Sequence, residues 1–246
     1  YIGCGDGLLL KKIYSHLKKI MKEKIFKEIK LIGVDLNKIS INTAKNNLPK
    51  SKTILIKESI DNPKKIFKLL NSKRIFKDQI LQVRSFVDHE REILQEHSKF
   101  FIKDKFLNTD DKDVIGIGKK GELFSSKLIN QTLNIYYKKW SNFIGKFGII
   151  NLEVHKQSLN EMKSDLDLNE GVHFDFIQSL SRQNLCKAKM QFYCMTNNNL
   201  KPKIIEAYPI NTRFVRIVLG YYIKKDFVPR IKKKDYNCYI RLSKKK

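Results

Sequence analysis

The spacing of apolar positions along the first half of the chain switches repeatedly between two periods. Tyr1–Cys4 reads as the end of a strand, and Leu8–Met21 then places its apolar residues at helical spacing. A short apolar run, Leu31–Val34, predicts a buried strand. Ile39–Leu48 returns to helical spacing, and Thr53–Lys57 is strand-like again. The stretch from Pro63 to Leu70 predicts a helix opened by a proline in its first turn, where no backbone donor is lost. Ile80–Phe86 predicts the next strand. Strands and helices that alternate over short connections form parallel sheets covered on both faces. The expected fold class is therefore α/β, with a doubly wound, mostly parallel sheet of seven strands.

From Asp88 to about Gly121 the rhythm stops. The segment is charged, lacks clear periodicity and is too long for an ordinary connection. It is expected to be an inserted lid or substrate loop over about residues 88–122, with some helix within Arg91–Phe100. A long amphipathic helix is predicted over Ser125–Ile144, ended by Gly145, and a buried strand over Gly148–Val154. Asn169–Asn198 looks helical in pieces. Phe214–Ile223 and Tyr236–Leu242 are expected to form a closing antiparallel pair. The whole, 1–246, reads as one domain whose start lies inside the domain, because the chain opens without Met on a strand end.

Composition changes this picture only in part. A hydrophobic content of 41% with 15 Phe and 10 Tyr can fill a core and excludes global disorder. No apolar run approaches the roughly 18 residues that span a bilayer, so no membrane partner is expected. Cys4, Cys186, Cys194 and Cys238 lack both the density of a secreted framework and a CxxC spacing, and are read as reduced thiols of a cytoplasmic protein. The net charge of +25 raises the question of nucleic acid. Of the 50 basic residues, however, 42 are Lys and 8 are Arg, and they are spread along the chain. Phosphate-binding surfaces favour Arg, whose planar fork matches the anion. Diffuse compositional bias is the stronger reading, and a polyanionic partner the weaker.

Ligands of open parallel sheets sit beyond the carboxyl ends of the strands. Three segments fall there. The first is Gly3-Cys4-Gly5-Asp6-Gly7, whose alternating glycines permit a sharp turn and close backbone approach to a ligand. Asp35 ends the second strand, where a carboxylate can accept both hydroxyls of a ribose. The pair describes a nucleoside site. The second segment is Arg84-Ser85-Phe86-Val87-Asp88-His89-Glu90, and the third is Glu153-Val154-His155. Adjacent strands lie about 4.8 Å apart, so residues just past neighbouring strand ends meet. If these two strands are neighbours, His89 and His155 converge. Two imidazoles with carboxylates are the ingredients of a facial-triad metal centre, to which Asp88, His173 or Asp175 could add a ligand. The competing reading makes one His a general base and the other a hydrogen-bonded core residue. His16 and His97 are read as surface residues.

The glycine run with LIGVD resembles class I S-adenosylmethionine (SAM) methyltransferases. The resemblance implies that Gly3, Cys4, Gly5, Asp6, Gly7, Asp35, Leu36, Ser59, Ile60 and Arg84 belong to the cofactor site. Three further runs, LQVRSFVDHE, Tyr137-Lys138-Lys139-Trp140 and FGIINLEVH, resemble the methyltransferase domains of bacterial polyketide synthases of the apratoxin loading-module type. Members of that group methylate carbon on acyl groups held by an acyl carrier protein, and some bind Fe(II) or Mn(II). The resemblance implies His89, His155 and Asp88 as catalytic residues, and His89, His155, His173 and Asp175 as candidate metal ligands. Tyr1 departs from the pattern, because an acidic residue commonly precedes the glycines in that family. A helical cap over the cofactor site is likewise not seen ahead of them. RNA methylation and a non-catalytic SAM-fold binding module are the alternative functions.

Overall fold

The structure, a computed structural model, describes residues 1–94, 98–118, 120–158, 160, 163, 177–178, 181, 183–208 and 216–227. Strands β1 (Leu31–Asp35) and β2 (Thr53–Lys57) pair in parallel. Strand β3 is Gln82–Ser85, and β4 (Gly116–Ile117) and β5 (Leu123–Phe124) make a small antiparallel hairpin. Strand β6 (Ile149–Val154) pairs in parallel with β3. Strand β7 is Leu200–Tyr208 and β8 is Ile217–Lys224, and β8 lies antiparallel between β6 and β7.

The expected sheet of seven strands is thus found as a parallel pair and a mixed four-stranded sheet. The first strand is reduced to one bridging residue, Ile2, which pairs in parallel with both Val34 and Arg84. That bridge sets β1 beside β3 and brings the carboxyl ends of β1, β3 and β6 to one edge. The architecture is Rossmann-like α/β on the parallel side and antiparallel beyond β6.

The helices form where the spacing predicted them, with identifiable ends. Helix α1 (Leu8–Ile20) starts from Gly7, at φ 79°, and carries Lys18 and Lys19 in its last turn, where cations oppose the helix dipole. Helix α2 (Glu23–Glu28) is a short element that the periodicity did not predict. Asn37 caps α3 (Lys38–Asn47) by accepting from the Ile39 amide at 2.8 Å. Helix α4 (Pro63–Ser72) has proline in its first turn and buries Ile66, Phe67 and Leu70 on one stripe. Helix α5 (Ser126–Ser141) is capped by Ser125 and is buried along most of its length. Helix α6 (Ala188–Asn197) packs against α5 and β7. Trp140, Tyr137, Ile129, Leu133 and Ile149 are fully buried, and Trp140→Ala is expected to cost about 3–5 kcal/mol through the cavity it leaves.

Two expectations are corrected. Tyr236–Leu242, expected as one strand of the closing pair, lies outside the described residues, and Ile217–Lys224 pairs with an unexpected strand, Leu200–Tyr208. This strand escaped notice because Lys201, Pro202 and Lys203 interrupt the alternation, and the register shifts between Pro202 and Ile204. As an edge strand it tolerates the missing proline donor, and its lysines discourage pairing with another chain. The insertion is also no free loop. Leu107 and Val114 are buried in the core, the Gln131 amide donates to Ile102 O and Asn108 Oδ1, and Lys187 pairs with both Asp111 and Asp113 at 2.8 Å. Where helix was expected within Arg91–Phe100, the described residues hold a 3-10 turn just before it, Asp88–Glu90, and no helix.

Candidate functional site

The glycine loop is shaped by conformation at each of its glycines. Gly3, Gly5 and Gly7 have φ of 68°, 51° and 79°, a region that favours glycine. A Cβ on Gly3 would meet Val87 at 2.7 Å, so that residue also packs the loop onto the segment after β3. A Cβ on Gly5 would meet nothing within 4 Å. The space above Gly5 is therefore open to a ligand that approaches the backbone. Cys4 is buried, and burial, with Asp35 nearby, pushes its thiol up to about 11. Its side chain packs against Gly33 and has no exposed reactivity. Asp6 turns inward to the helix start, accepting from the Leu8 amide at 3.0 Å.

Asp35 is held in place by two backbone amides. Gly5 N–H donates to Oδ2 and Asn37 N–H to Oδ1, each at 2.8 Å. A carboxylate has about four acceptor positions, so each oxygen retains one for a ribose hydroxyl. The neighbouring Leu36 side chain is 64% exposed and offers an apolar face beside that carboxylate. On the far side, Ser59 and Ile60 lie in a turn after β2, which the Trp140 indole anchors by donating to Ile60 O at 2.9 Å. The residues expected at the nucleoside site, past the first three strand ends, therefore lie at one edge. Arg84 is the exception. Its guanidinium is fully buried, 4.0 Å over the Trp140 ring and 3.0 Å from both Asp88 and Tyr136, so it serves the interior and not the cofactor cleft.

Asp88 is the centre of that interior. Oδ1 accepts from Arg84 and from Tyr136 at 2.7 Å. Oδ2 accepts from Tyr137 at 2.6 Å and from the Asn151 amide at 2.5 Å. Gln191 extends the network by donating to the Tyr137 oxygen and to Asn151 Oδ1. Burial would raise the Asp88 pKa, but the Arg84 charge and the tyrosine hydroxyls outweigh it and hold the group ionised. With four donors on four acceptor positions, Asp88 has no position left for a substrate proton or a metal. In this arrangement it supports the site from below and does not act in it.

Above the network sits a pair that the sequence reading left unassigned. Glu153 occupies a buried position of β6, and its Oε1 lies 2.7 Å from His89 Nδ1. Its Oε2 accepts from the Asp88 amide at 2.8 Å, and Oε1 also accepts from the Val154 amide. The carboxylate fixes His89 with its proton on Nδ1, which leaves Nε2 as a base. Burial alone would lower the His89 pKa. The bond to Glu153 and its charge, with Glu90 and Asp88 beyond, overcome this and raise it. A signal for Glu153 was present: in the alternating run IINLEV it is a carboxylate on the buried face.

His155 lies close by, buried at 3% exposure, with its ring toward Cys186 O and its amide donating to Arg216 O. Burial, reinforced by the charge of His89, depresses its pKa to about 4. Each imidazole lies past its own strand end, His89 against Glu153 and His155 against Cys186, with their basicities driven apart. Arg91 closes the wall with bonds to the carbonyls of Asp88, Asn184 and Ile129. The cavity bordered by Asp88, His89, Arg91, Glu153 and Cys186 has a volume of about 10 Å³.

The described residues do not fit a metal. Asp88 is saturated, Glu153 is committed to His89, and the Arg91 cation stands at the same cavity. No group of three or more His, Cys, Asp or Glu among the described residues is arranged to hold an ion. His173 and Asp175, the other candidate ligands, lie outside the described residues, as does His97. His16 is exposed on α1. Among the described residues no helix is long and apolar enough to cross a membrane.

Comparison with known proteins bears on this geometry. No curated protein matches the chain. Among solved structures, the chain is similar to LepI in complex with SAM, at 10% identity and a TM-score of 0.47 over 91% of this chain and 42% of that one. It therefore spans less than half the length of that protein. It is also similar to geranyl diphosphate C-methyltransferase from Streptomyces coelicolor A3(2), at 9% identity and a TM-score of 0.49, covering 91% of this chain and 70% of the other. A third similar structure is the PH0226 protein from Pyrococcus horikoshii OT3, at 12% identity and a TM-score of 0.43, with 91% and 80% covered. The methyltransferase family described as AprA MT2-like domain matches residues 1–220, a span that contains the glycine loop, Asp35, His89, Glu153 and His155. The chain belongs to this family of methyltransferase domains.

Proposed function

We propose that the chain methylates a carbon of an acyl group presented as a thioester on an acyl carrier protein, as in polyketide biosynthesis. The observation that supports this reading is the 2.7 Å bond between Glu153 and His89 Nδ1. SAM, when bound at the glycine loop and Asp35, supplies an electrophilic methyl. The residues of the chain then have to provide a carbanion equivalent. A histidine whose basicity is raised by a carboxylate can remove a proton from carbon only where that carbon is already acidic, as between a thioester and a second carbonyl. His89 Nε2 takes that proton, and Glu153 stabilises the imidazolium that forms. His155, kept neutral by burial, adds no competing positive charge. His89 is 4% exposed, so an acyl chain reaches Nε2 only after its surroundings open. Arg91, Asn184 and Leu185, which border the same cavity, are the residues that would have to shift.

The measurement is mass spectrometry of carrier-bound or pantetheine-linked β-ketoacyl thioesters incubated with SAM. Wild type should add 14 Da at the carbon between the carbonyls, a mass set by replacing hydrogen with methyl, and His89→Ala should not. SAM binding without turnover on any thioester would instead support a non-catalytic binding module. A metal-assisted form of the reaction would need His89 and His155 with a third ligand from His173 or Asp175. Elemental analysis of protein prepared with Fe(II) or Mn(II) under reducing conditions decides that question, and less than about a tenth of an equivalent rejects it.

A further inference from the structure

Phe86 is in the wrong conformation for its residue type. It has φ 52°, a left-handed backbone that costs a side chain bearing Cβ and that glycine adopts freely. It is also 42% exposed, although it is a large apolar ring directly after a buried strand. Its ring makes no aromatic contact among the described residues, whereas the ring pairs in the core involve Phe67, Tyr136, Tyr137 and Trp140. Strain of this kind persists where the surroundings enforce it for use.

The surroundings are specific. The Phe86 amide donates to Leu152 O at 2.8 Å, which locks the residue to the end of β6. The next residue, Val87, packs against Gly3 of the cofactor loop. Two residues further, His89 meets Glu153. Phe86 therefore stands just past the carboxyl end of β3, next to the residue that packs on the glycine loop and three residues before His89. A cation is drawn to an aromatic face, and SAM is a sulfonium cation whereas its demethylated product is a neutral thioether.

We propose that Phe86 is the cofactor-discriminating residue of the site: its ring faces the sulfonium and favours the charged methyl donor over the neutral product. The inference rests on SAM binding at the glycine loop. It extends the reaction by one step, since a ring that holds the donor and not the product promotes release after transfer. The backbone strain is the cost of presenting the ring there.

Calorimetric titration of the whole chain with SAM and, separately, with S-adenosylhomocysteine tests this without turnover. Phe86→Leu keeps an apolar side chain but removes the π face, and should weaken SAM about tenfold while leaving the product's affinity within about twofold. Phe86→Tyr should retain the wild-type ratio. Phe86→Gly should lose the preference yet melt no lower than wild type, because the strain is relieved. Equal weakening of both ligands by Phe86→Leu, or an unchanged ratio, overturns the proposal and makes the ring a packing element. If wild type binds neither ligand, the cofactor reading itself fails.

Discussion

The two halves of the site solve opposite problems. Around Gly5 and Asp35 the chain is open, positions are set by backbone amides, and acceptor positions remain for a ligand. Around Asp88 and His89 it is closed, positions are set by side chains, and nearly every acceptor is filled from within the protein. A cofactor bound on every cycle can be met by a cradle that exists beforehand. On the proposed reading His89 is a base, and burial beside a saturated network keeps it in one tautomer and away from water. The contrast implies that substitutions in the first half change binding, and those in the second half change turnover and stability.

The sharpest test is Glu153→Gln. It preserves shape but removes the charge on His89, and turnover is expected to fall by roughly 10²–10⁴-fold, the range for loss of a positioned acid–base group. SAM affinity should not change. Because Glu153 raises the His89 pKa, the acidic limb of the rate profile should also move to lower pH in any residual activity. A limb that stays in place would detach Glu153 from the base.

Next in size is Asp88→Asn. It leaves the fully buried Arg84 cation without its counter-charge, and unfolding in denaturant should report a loss of about 3–5 kcal/mol. An effect confined to activity, at full stability, would break the assignment of Asp88 as support.

His155 gives the next prediction. Its folded pKa is about 4, and 6.5 is the ordinary value. Between these values the unfolded chain binds a proton that the folded one refuses. Stability is complete above about 6.5 and declines as pH falls towards 4, by about 3 kcal/mol from this residue. His155→Gln should flatten that part of the stability curve, measured by denaturant midpoints across pH. His89 has the opposite sign: its raised pKa adds stability at low pH, which is lost as pH rises through the folded value.

A smaller effect is expected from the open half. Asp35→Ala should weaken SAM by roughly 2–3 kcal/mol in calorimetry, through loss of charge-assisted bonds to the ribose, with stability little changed. The smallest concerns the charge of +25: RNA and DNA should bind weakly, without sequence preference and with steep salt dependence. Selective binding at physiological salt would reverse that expectation.

Much of this molecule was legible in order along the chain. The glycine spacing, Asp35 at a strand end, the proline-led helix at Pro63 and the Ser125 cap are local statements, because each depends on residues within one or two turns of one another. So is the placement of His89 and His155 just past two strands. Local pattern failed where the decisive contacts are remote. Leu200–Tyr208 is a strand because β8 lends it a partner, despite Pro202. Glu153 is the partner of His89 because a residue 64 positions earlier arrives 2.7 Å away. Arg84, read as a cofactor residue by its position, is drawn inward by Asp88, Tyr136 and Trp140, since a buried guanidinium must find a carboxylate or a ring wherever the fold supplies one. The sequence by itself determined which strand ends carry the glycines, carboxylates and imidazoles. Only the tertiary structure decided which of those side chains stay open and which hold the others in place, because burial and pairing are properties of the assembled neighbourhood.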